Sequence, residues 1–514
     1  MAKDDRFNPG RRDFIKSAVA LGLAAALPGL GFPGVASAQA GTVARLGIIP
    51  SMPLTPGQVN SGDGSNICSL IYDWLFRLEG AEQKFTPSLA ESARPEQEAR
   101  EWVISLRQGV KFHHGTELTA EDVVYTVNRW LDPSVGSGLK NLFNHVDRVE
   151  PAGKYEARFV LAKRDPDFLL KFLDFSAAIL AHDFDNENKG NTMPSGTGPF
   201  RVVEHTPNQR MMLEKNPDYF IPGLPKVDRF EVHFINEVQA QLMALESGNV
   251  DIVRWVSFDQ LIQYQNHPRV DLITVPLANL APISFDCTQK PFDDPRVTKA
   301  LRLVVDHQKI METVAYGYGY VCNDDYVWPG SEWRTEVPDR KRDLAQARRL
   351  LAEAGHGDGF HVEIHCSSNR PPTLEMVLAF KDMAREAGIE VEVRSLAQDI
   401  FISQSWLKVP AMCASWGHRE NPLDLLNVLL RSDASWNESK YNNPELDRLL
   451  DLVGQELDRD RRKAGFRQIQ TLLAEDGPGV LPFFYNGFGA TNKRVKGYLM
   501  TRNFISDYRY VEVA

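Results

Sequence analysis

Two short segments carry the side chains best suited to binding chemistry. They are Cys366–Arg370 and Trp416–Asn421, and each follows a predicted strand. Arg370 and Arg419 each present a guanidinium, a planar fork that binds carboxylate or phosphate through paired hydrogen bonds. Two such groups near one cleft favour an anionic ligand. Each arginine can also belong to a structural ion pair, and Trp416 can either stack on a ligand or pack between lobes.

No residue pattern indicates catalysis or a metal centre. The sequence lacks GxSxG, HExxH, a phosphate-binding loop and GxGxxG. His113 and His114 are adjacent, but no third ligand stands at a recognisable spacing, so we expect a solvated turn. His361 and His365 fall on a predicted strand, where four residues span about 13 Å, too far to share a metal. We therefore predict a protein that is not an enzyme and has no cofactor.

Alternating helices and strands must position the two segments. From Asp343 onward the pattern predicts a helix to Ala354, a strand, a helix to Glu386, a strand, a short helix and a third strand; the strands are Phe360–His365, Ile389–Val393 and Ala411–Ser415. This order implies a parallel sheet with right-handed crossovers. Ligands of such sheets bind beyond the carboxyl ends of the strands, so we expect the two segments to lie close together.

A β-hairpin is the element that the sequence indicates most clearly. Residues 194–220 read PSGTGPFRVVEHTPNQRMMLEKNPDYF. Gly196, Gly198 and Pro199 predict a tight turn, because glycine supplies positive φ and proline fixes φ near −65°. The runs Phe200–Glu204 and Arg210–Lys215 read as its two strands.

Helix signals appear elsewhere along the chain. Thr119 followed by Asp122 is close to a capping box, and Asp294 before Pro295 predicts a capped helix start. A further helix is predicted over Ile67–Arg77, after a polar loop that runs to Asn66.

The wording of the hairpin resembles the signature of the family 5 extracytoplasmic solute-binding proteins, the dipeptide, oligopeptide and nickel receptors of ABC importers. GTGPF and NPDYF carry that resemblance, and KFHHGTELTAEDV, ALESGNVDI and ALRLVVDHQKI are similar to further family segments. The matches cover essentially all of the chain after residue 40. They imply an α/β, two-lobed periplasmic-binding-protein fold: lobe I at 41–282 with an inserted subdomain at about 80–193, lobe II at 283–485, and a return to lobe I at 486–514.

The resemblance also assigns roles to individual residues. In dipeptide receptors, a segment similar to Asn369–Pro371 supplies an arginine to the peptide carboxylate, and Arg370 matches it. A W-x-x-D pattern supplies an aspartate to the peptide ammonium, but Arg419 stands at that position here. A like charge there costs several kcal/mol, although a one-residue slip would place Glu420 at the ammonium instead. The candidate substrate-binding residues are Asn369, Arg370, Trp416, Gly417 and Arg419.

Composition bounds the class of protein. The 514 residues carry 43% apolar side chains and a formal net charge of −10, typical of a soluble globular chain. An acidic chain without a basic tract argues against nucleic acid as a partner. The five cysteines contain no CxxC, so neither a zinc site nor a disulfide framework is expected.

The first forty residues read as an export signal. Gly10–Lys16 resembles the twin-arginine motif, and an apolar run from Ala18 to Leu30 follows. This run is shorter than the ~20 residues that a membrane span requires, although a membrane anchor is the alternative reading. Small residues predict cleavage near Ala38 or Ala40, which would release the protein into the periplasm.

These observations predict a periplasmic solute receptor of an ABC importer. We expect a monomer that captures a small anionic or peptide-like solute by hinge closure and delivers it to a membrane permease. Two alternatives stay open: a periplasmic hydrolase, and a carrier of metal or haem on the same fold.

Overall fold

Two β-sheets organise the protein, for which a computed structural model describes residues 41–336 and 340–514. The predicted export signal lies outside the described residues. The alternating α/β pattern and the two-lobed architecture that the sequence predicts are confirmed. No helix among the described residues is long and apolar enough to cross a membrane.

The larger sheet has eight strands and forms the first lobe. Seven lie in the order Val270–Asn279, Phe483–Asn492, Ile252–Val253, Val43–Ile48, Arg229–Phe234, Arg210–Lys215 and Phe200–Thr206, and Gly319–Val321 also pairs with the second of these. The central strand, Val43–Ile48, runs parallel to both of its neighbours. Ala44, Leu46, Gly47 and Ile48 are buried and the other two residues are half-buried, as expected for a parallel strand that is covered on both faces.

The smaller sheet has five strands and forms the second lobe. In spatial order they are Ile389–Leu396, Phe360–Ser367, Ala411–Cys413, Ile283–Phe285 and Gly479–Val480. The first three run parallel, as the alternation of helices and strands predicts. Helix Thr373–Arg385 packs on this sheet through buried Met376, Val377 and Phe380.

Two of the chain's passages between the sheets lie side by side, and the chain also leaves the smaller sheet for Gly319–Val321 and returns to it at Phe360–Ser367. Strand Val270–Asn279 of the larger sheet is followed by Ile283–Phe285 of the smaller one, and Gly479–Val480 leads back to Phe483–Asn492. Leu280, at the first crossing, forms a β-bridge with Trp416. The lobe boundaries at residues 282 and 485 stay a prediction; the returning strand begins at Phe483.

A third sheet lies within the predicted inserted subdomain. Its four antiparallel strands are, in spatial order, Ala90–Glu96, Glu101–Leu106, Glu156–Leu161 and Val146–Gly153. Helix Ala120–Leu131 buries Val123, Val127 and Trp130 beside it, and the capping box of Thr119 with Asp122 is confirmed.

The remaining elements cover these sheets. Three pairs of short antiparallel strands, two to four residues long, are Phe76–Glu79 with Lys84–Pro87, Val495–Lys496 with Glu512–Val513, and Leu499–Met500 with Ser506–Asp507. The other α-helices are Gly62–Ile71, Val238–Ser247, Phe258–Tyr264, Pro295–Leu303, His307–Ala315, Leu344–Glu353, Gln398–Ile400, Pro422–Leu429, Pro444–Gln455 and Arg459–Asp476. Short 3-10 turns occupy Gln97–Ala99, Pro133–Val135 and Phe168–Leu173, and a π-turn occupies Phe401–Ser405.

The helix predicted over Ile67–Arg77 was wrong at both ends. It begins at Gly62, because the Ser61 hydroxyl accepts a hydrogen bond from the Gly64 amide and caps it, and it ends at Ile71. Phe76–Glu79 is a strand. The Gly-, Ser- and Asn-rich first turn resembles a loop in sequence but is buried in the structure, so tertiary packing overrides weak helix propensity.

The glycines of the opening hairpin are required for a different reason from the one predicted. Gly196 and Gly198 do not adopt positive φ. Instead they pass close to the end of helix Gly62–Ile71, where the Gly198 amide donates a hydrogen bond to the Ile71 carbonyl at 2.9 Å. A Cβ on Gly198 would lie 2.4 Å from the Ile71 carbonyl carbon, closer than real side chains approach backbone.

We therefore expect Gly198→Ala to destabilise the protein by ~1–3 kcal/mol, the usual cost of overpacking a filled site. The comparison is Gly138→Ala, whose added Cβ would have no neighbour within 4 Å. Urea unfolding followed by circular dichroism should show a lower midpoint for Gly198→Ala alone. Equal midpoints for the two variants would contradict the close-approach explanation.

Candidate functional site

Both predicted binding segments leave the same edge of the smaller sheet. Strands Phe360–Ser367 and Ala411–Cys413 are parallel neighbours with Cys366 opposite Cys413. The segments that follow them therefore begin side by side, at the carboxyl ends where parallel sheets bind ligands. The side-chain oxygen of Asn369 accepts hydrogen bonds from the Ser367 hydroxyl and the Gln398 backbone amide. Asn369 thereby connects the ends of strands Phe360–Ser367 and Ile389–Leu396.

A cavity of about 160 Å³ opens beside these segments. Trp406, Trp416 and Trp436 line it, together with residues that include Ser367 and Thr373. We call it the tryptophan pocket. The ring centroids of the three indoles lie 5.9–6.4 Å apart, so they form a nearly equilateral triangle.

A buried carboxyl group fixes two of these indoles. The ring N–H groups of Trp406 and Trp416 both donate to Oε1 of Glu438, at 2.9 and 3.0 Å. Oε2 of Glu438 lies 2.9 Å from the Ser284 hydroxyl. Burial raises the pKa of Glu438 to about 7, although the three hydrogen bonds act against the rise. The carboxyl therefore changes its charge near neutral pH.

Arg370 lies at the rim of the same edge and is exposed. Among the described residues, no carboxylate lies within 4.0 Å of its guanidinium. Burial raises the pKa of Asp63 and Tyr485 in the first lobe, and the positive charge of Arg370 acts against that rise in both. The guanidinium is therefore near enough to Asp63 and Tyr485 for its charge to act on both, and it is exposed to solvent.

The facing wall of the first lobe carries a second arginine. Arg254 directly follows the strand Ile252–Val253, is 7% exposed, and lies 3.4 Å from Asp63. Asp63 sits in the first turn of the helix that begins at Gly62. A Cβ at position 62 would overlap the Arg254 guanidinium, so Arg254 would have to shift if a larger residue replaced Gly62.

Arg419 lies in a different cavity, of about 230 Å³. Gly417 and Arg419 line it with Lys171, Asp174 and Asp424. Burial raises the pKa of Asp174, and the charge of Arg419 acts against that rise. Positive and negative groups are therefore mixed in this cavity.

Glu420, the acid next to Arg419, already accepts hydrogen bonds from other protein side chains. Arg502 donates to both of its oxygens at 2.6–3.0 Å. The Ala278 amide donates to Nδ1 of His418, so Nε2 carries the proton and donates to Glu420. Burial alone would raise the pKa of Glu420, but these bonds lower it to about 2. This carboxylate ties the second lobe to the C-terminal segment.

The structure brings together only part of the predicted set. Trp416 lines the tryptophan pocket, while Gly417 and Arg419 line the second cavity. Neither cavity includes Arg370 or Asn369 in its lining. The roles of all five residues in binding stay predictions.

Sequence reasoning missed several residues of this region. Trp406, Trp436 and Glu438 complete the tryptophan pocket, and three of the nine tryptophans within 31 positions was an available signal. Arg254 could have been found from its position two residues after the family-like segment ALESGNVDI. Asp63 had no signal, because it lies in what reads as a polar loop.

One group of side chains has the spacing of a metal site. Oxygen and nitrogen atoms of Asp122, His182 and Asp183 lie within 4.8 Å of one another. Asp122 already accepts hydrogen bonds from the Thr119 amide and from His182. Nearby, His114 contacts Ser195 and Asp183, and His113 contacts the Gly198 carbonyl, so both histidines of the turn that we expected to be solvated contact residues distant in sequence.

The raised pKa of Glu438 makes stability depend on pH. A glutamate has a pKa of about 4.3 in unfolded chains, so between about pH 4.3 and 7 the folded state binds more protons. Stability contributed by Glu438 should therefore fall across that range, by on the order of 3 kcal/mol in total. Glu438→Gln removes this titration while keeping an acceptor for both indoles.

We expect the melting temperature of ligand-free Glu438→Gln to rise relative to the parent protein between pH 5 and pH 8. The matched control is Glu390→Gln, an exposed glutamate on the neighbouring strand Ile389–Leu396. A parent-to-variant difference that stays constant with pH would show that Glu438 is charged throughout.

Comparisons with known proteins place the chain in a family. The model for bacterial extracellular solute-binding proteins, family 5 Middle, matches residues 84–437. Heme-binding protein A of Haemophilus influenzae is 26% identical over 486 residues, covering 87% of this chain and 88% of the relative. Oligopeptide-binding protein AppA of Bacillus subtilis is 25% identical over 463 residues, with 84% of each chain covered.

A solved structure gives the same fold. The periplasmic binding protein AgaA of A. tumefaciens R10, in complex with agropinic acid, superposes with a TM-score of 0.77 at 22% identity. The match covers 92% of this chain and 99% of that one. Since the family model spans more than half of the sequence, the chain belongs to the bacterial extracellular solute-binding proteins of family 5.

Proposed function

We propose that this chain is the periplasmic substrate-binding protein of an ABC importer and captures an anionic or peptide-like solute between its lobes. Membership of family 5 supports the receptor role. The relatives are named for haem, oligopeptides and agropinic acid, so likeness alone does not select a solute. The chemical class must follow from the residues of this chain.

The observation that carries the proposal is the charge at the facing strand ends. Arg370 of the second lobe has no carboxylate partner among the described residues, while Arg254 of the first lobe is paired with Asp63. Two guanidinium groups and one carboxylate leave a net positive charge. A carboxylate or phosphate on the solute would neutralise it through the paired donors of Arg370.

The same residues argue against a free α-ammonium on the solute. The family's aspartate position holds Arg419, and the adjacent Glu420 is occupied by Arg502 and His418. A one-residue slip would therefore not provide a free carboxylate. We propose a solute that carries an anionic group and lacks a free amine, such as a modified peptide.

Hinge closure follows from the connections between the lobes. The chain crosses between the sheets near Leu280 and near Leu481, and the ion pair of Arg462 with Asp167 joins helix Arg459–Asp476 to the turn that begins at Phe168. A solute that contacts both lobes would stabilise the closed arrangement by those contacts. The family consists of receptors, and we propose that this member acts as a monomer without catalytic activity.

Arg370→Ala should weaken binding of the native solute at least tenfold. Loss of one partner of a buried charged pair costs ~2–5 kcal/mol of binding, and ~1.4 kcal/mol is a tenfold change. The solute is first identified by native mass spectrometry of the purified protein and then titrated by calorimetry. Arg385→Ala is the control, since Arg385 is exposed at the other end of the same helix, about 20 Å away by helix rise.

The melting temperature of the ligand-free variants should stay almost unchanged, because removal of a surface arginine usually alters stability by less than about 0.5 kcal/mol. The comparison is made without ligand, because bound solute raises apparent stability by mass action. Parent-like affinity in Arg370→Ala would remove this residue from the site. Tight binding of unmodified dipeptides would overturn the proposed solute class. Arg419→Ala in the same assay tests whether the mixed-charge cavity belongs to the binding site.

Export is the second element of the proposal. Replacing Arg11 and Arg12 with lysine should leave precursor in the cytoplasm, because the paired arginines are the part of the signal that the twin-arginine receptor reads. Cell fractionation and immunoblotting measure the distribution. Normal periplasmic accumulation of the double variant would contradict this route.

A further inference from the structure

We propose that the tryptophan pocket is a subsite for an uncharged apolar group of the solute, with preference for an aromatic ring. The inference rests on the proposed receptor function and specifies the solute further: one anionic group, held by Arg370, and one ring, held among Trp406, Trp416 and Trp436. Three features of the pocket support this inference: the chemistry of its wall, its size and its position.

The pocket wall is mainly apolar, and its polar residues, Ser367, Thr373, Gln398 and Ser415, are uncharged. The N–H edges of Trp406 and Trp416 point to Glu438, because both donate to its Oε1, so their polar atoms are used in the wall. The remaining lining residues include Phe401, Ile402 and Ala414, and no charged side chain lines the cavity among the described residues. Indole surfaces at this spacing offer stacked and edge contacts to a ring.

The size of the pocket suits a single ring. Its volume is about 160 Å³, and an apolar protein cavity of ~150 Å³ holds benzene. Trp436 lines the pocket and is 43% exposed, so this part of the wall reaches solvent. A group attached to a larger solute can therefore enter it.

The pocket is adjacent to the proposed anion-binding residue. Ser367 and Thr373 line it, and Arg370 lies midway between them in the loop. The Thr373 hydroxyl donates to the Ser367 carbonyl at 2.9 Å and lies 3.0 Å from the Arg370 carbonyl, which closes the loop. An anion on Arg370 and a ring in the pocket would thus belong to one small molecule.

A cation is the competing occupant, since indole faces also attract ammonium groups. The nearest carboxyl, Glu438, already engages the two indoles and Ser284. Two titratable groups near Glu438 are Tyr326 and Cys413. Burial raises the pKa of each, and the charge of Glu438 raises it further, so both stay neutral. A desolvated cation would find no free counter-charge in the wall, which favours the neutral ring.

The first experiment tests the pocket without assuming any transport function. Protein labelled with 5-fluorotryptophan gives ¹⁹F signals for the nine tryptophans, assigned by single Trp→Phe variants. Added p-cresol should shift the signals of Trp406, Trp416 and Trp436 and leave the remaining six as internal controls. Equal or larger shifts with tetramethylammonium, or no shift of these three with p-cresol, would overturn the proposal.

The second experiment separates this inference from the proposed function. N-acetyl-L-phenylalanine should bind the parent protein at least about tenfold more tightly than N-acetylglycine, given the apolar area that a phenyl ring buries. Trp436→Ala should bring that ratio towards one, and Trp436→Phe should restore part of it. Arg370→Ala should weaken both compounds and leave the ratio unchanged.

The outcomes are distinguishable. A ratio near one in the parent, or a ratio that Trp436→Ala does not alter, would refute the subsite and leave the anionic receptor standing. Affinities that do not respond to Arg370→Ala would refute the anion site and leave the subsite standing. If neither compound binds, the proposed solute class fails, and the p-cresol result alone decides the pocket.

Discussion

The parallel pairing of strands Phe360–Ser367 and Ala411–Cys413 is the constraint on which the binding region depends. Because Cys366 lies opposite Cys413, the segments that follow both strands start at one edge. Thr373 and Asn369 then fix the first segment by hydrogen bonds to its own backbone and to Gln398. The second segment is fixed by the bridge between Leu280 and Trp416, at the point where the chain crosses between lobes.

Charges in this region divide into paired and available groups. Glu420 with Arg502, Asp167 with Arg462, and Arg254 with Asp63 are ion pairs at or between the lobes. Leaving one member of a buried pair alone is expensive, which is why such groups occur with their partners. Because Arg370 is exposed, water solvates its guanidinium, and the lack of a protein partner costs little free energy. A ligand anion can replace that water.

Glu438 shows how a buried acid can serve packing. Two indole N–H groups would be costly to bury without an acceptor, and a single carboxyl oxygen satisfies both. The arrangement turns the polar edges of two tryptophans inward and their apolar surface towards the cavity. Its ionisation near neutral pH couples the pocket to the acidity of the surroundings.

The sequence alone predicted the parallel order of the second lobe and the capped helix at Thr119, because these follow from local periodicity and capping chemistry. The two-lobed fold class was implied by the resemblance to family 5. The sequence also predicted that the two strand-end segments lie at one edge of the sheet, which the parallel pairing of their strands bears out. Tertiary structure decided which side chains share a space: Trp406 and Trp436 come from separate loops, and Glu438 joins them only through folding. It also decided that Arg419 lines a cavity that Arg370 does not line, and that Gly198 is needed for its closeness to Ile71. Spacing along a chain fixes the period of a helix or strand, whereas contacts between distant segments depend on how the sheets stack and where the chain crosses between them.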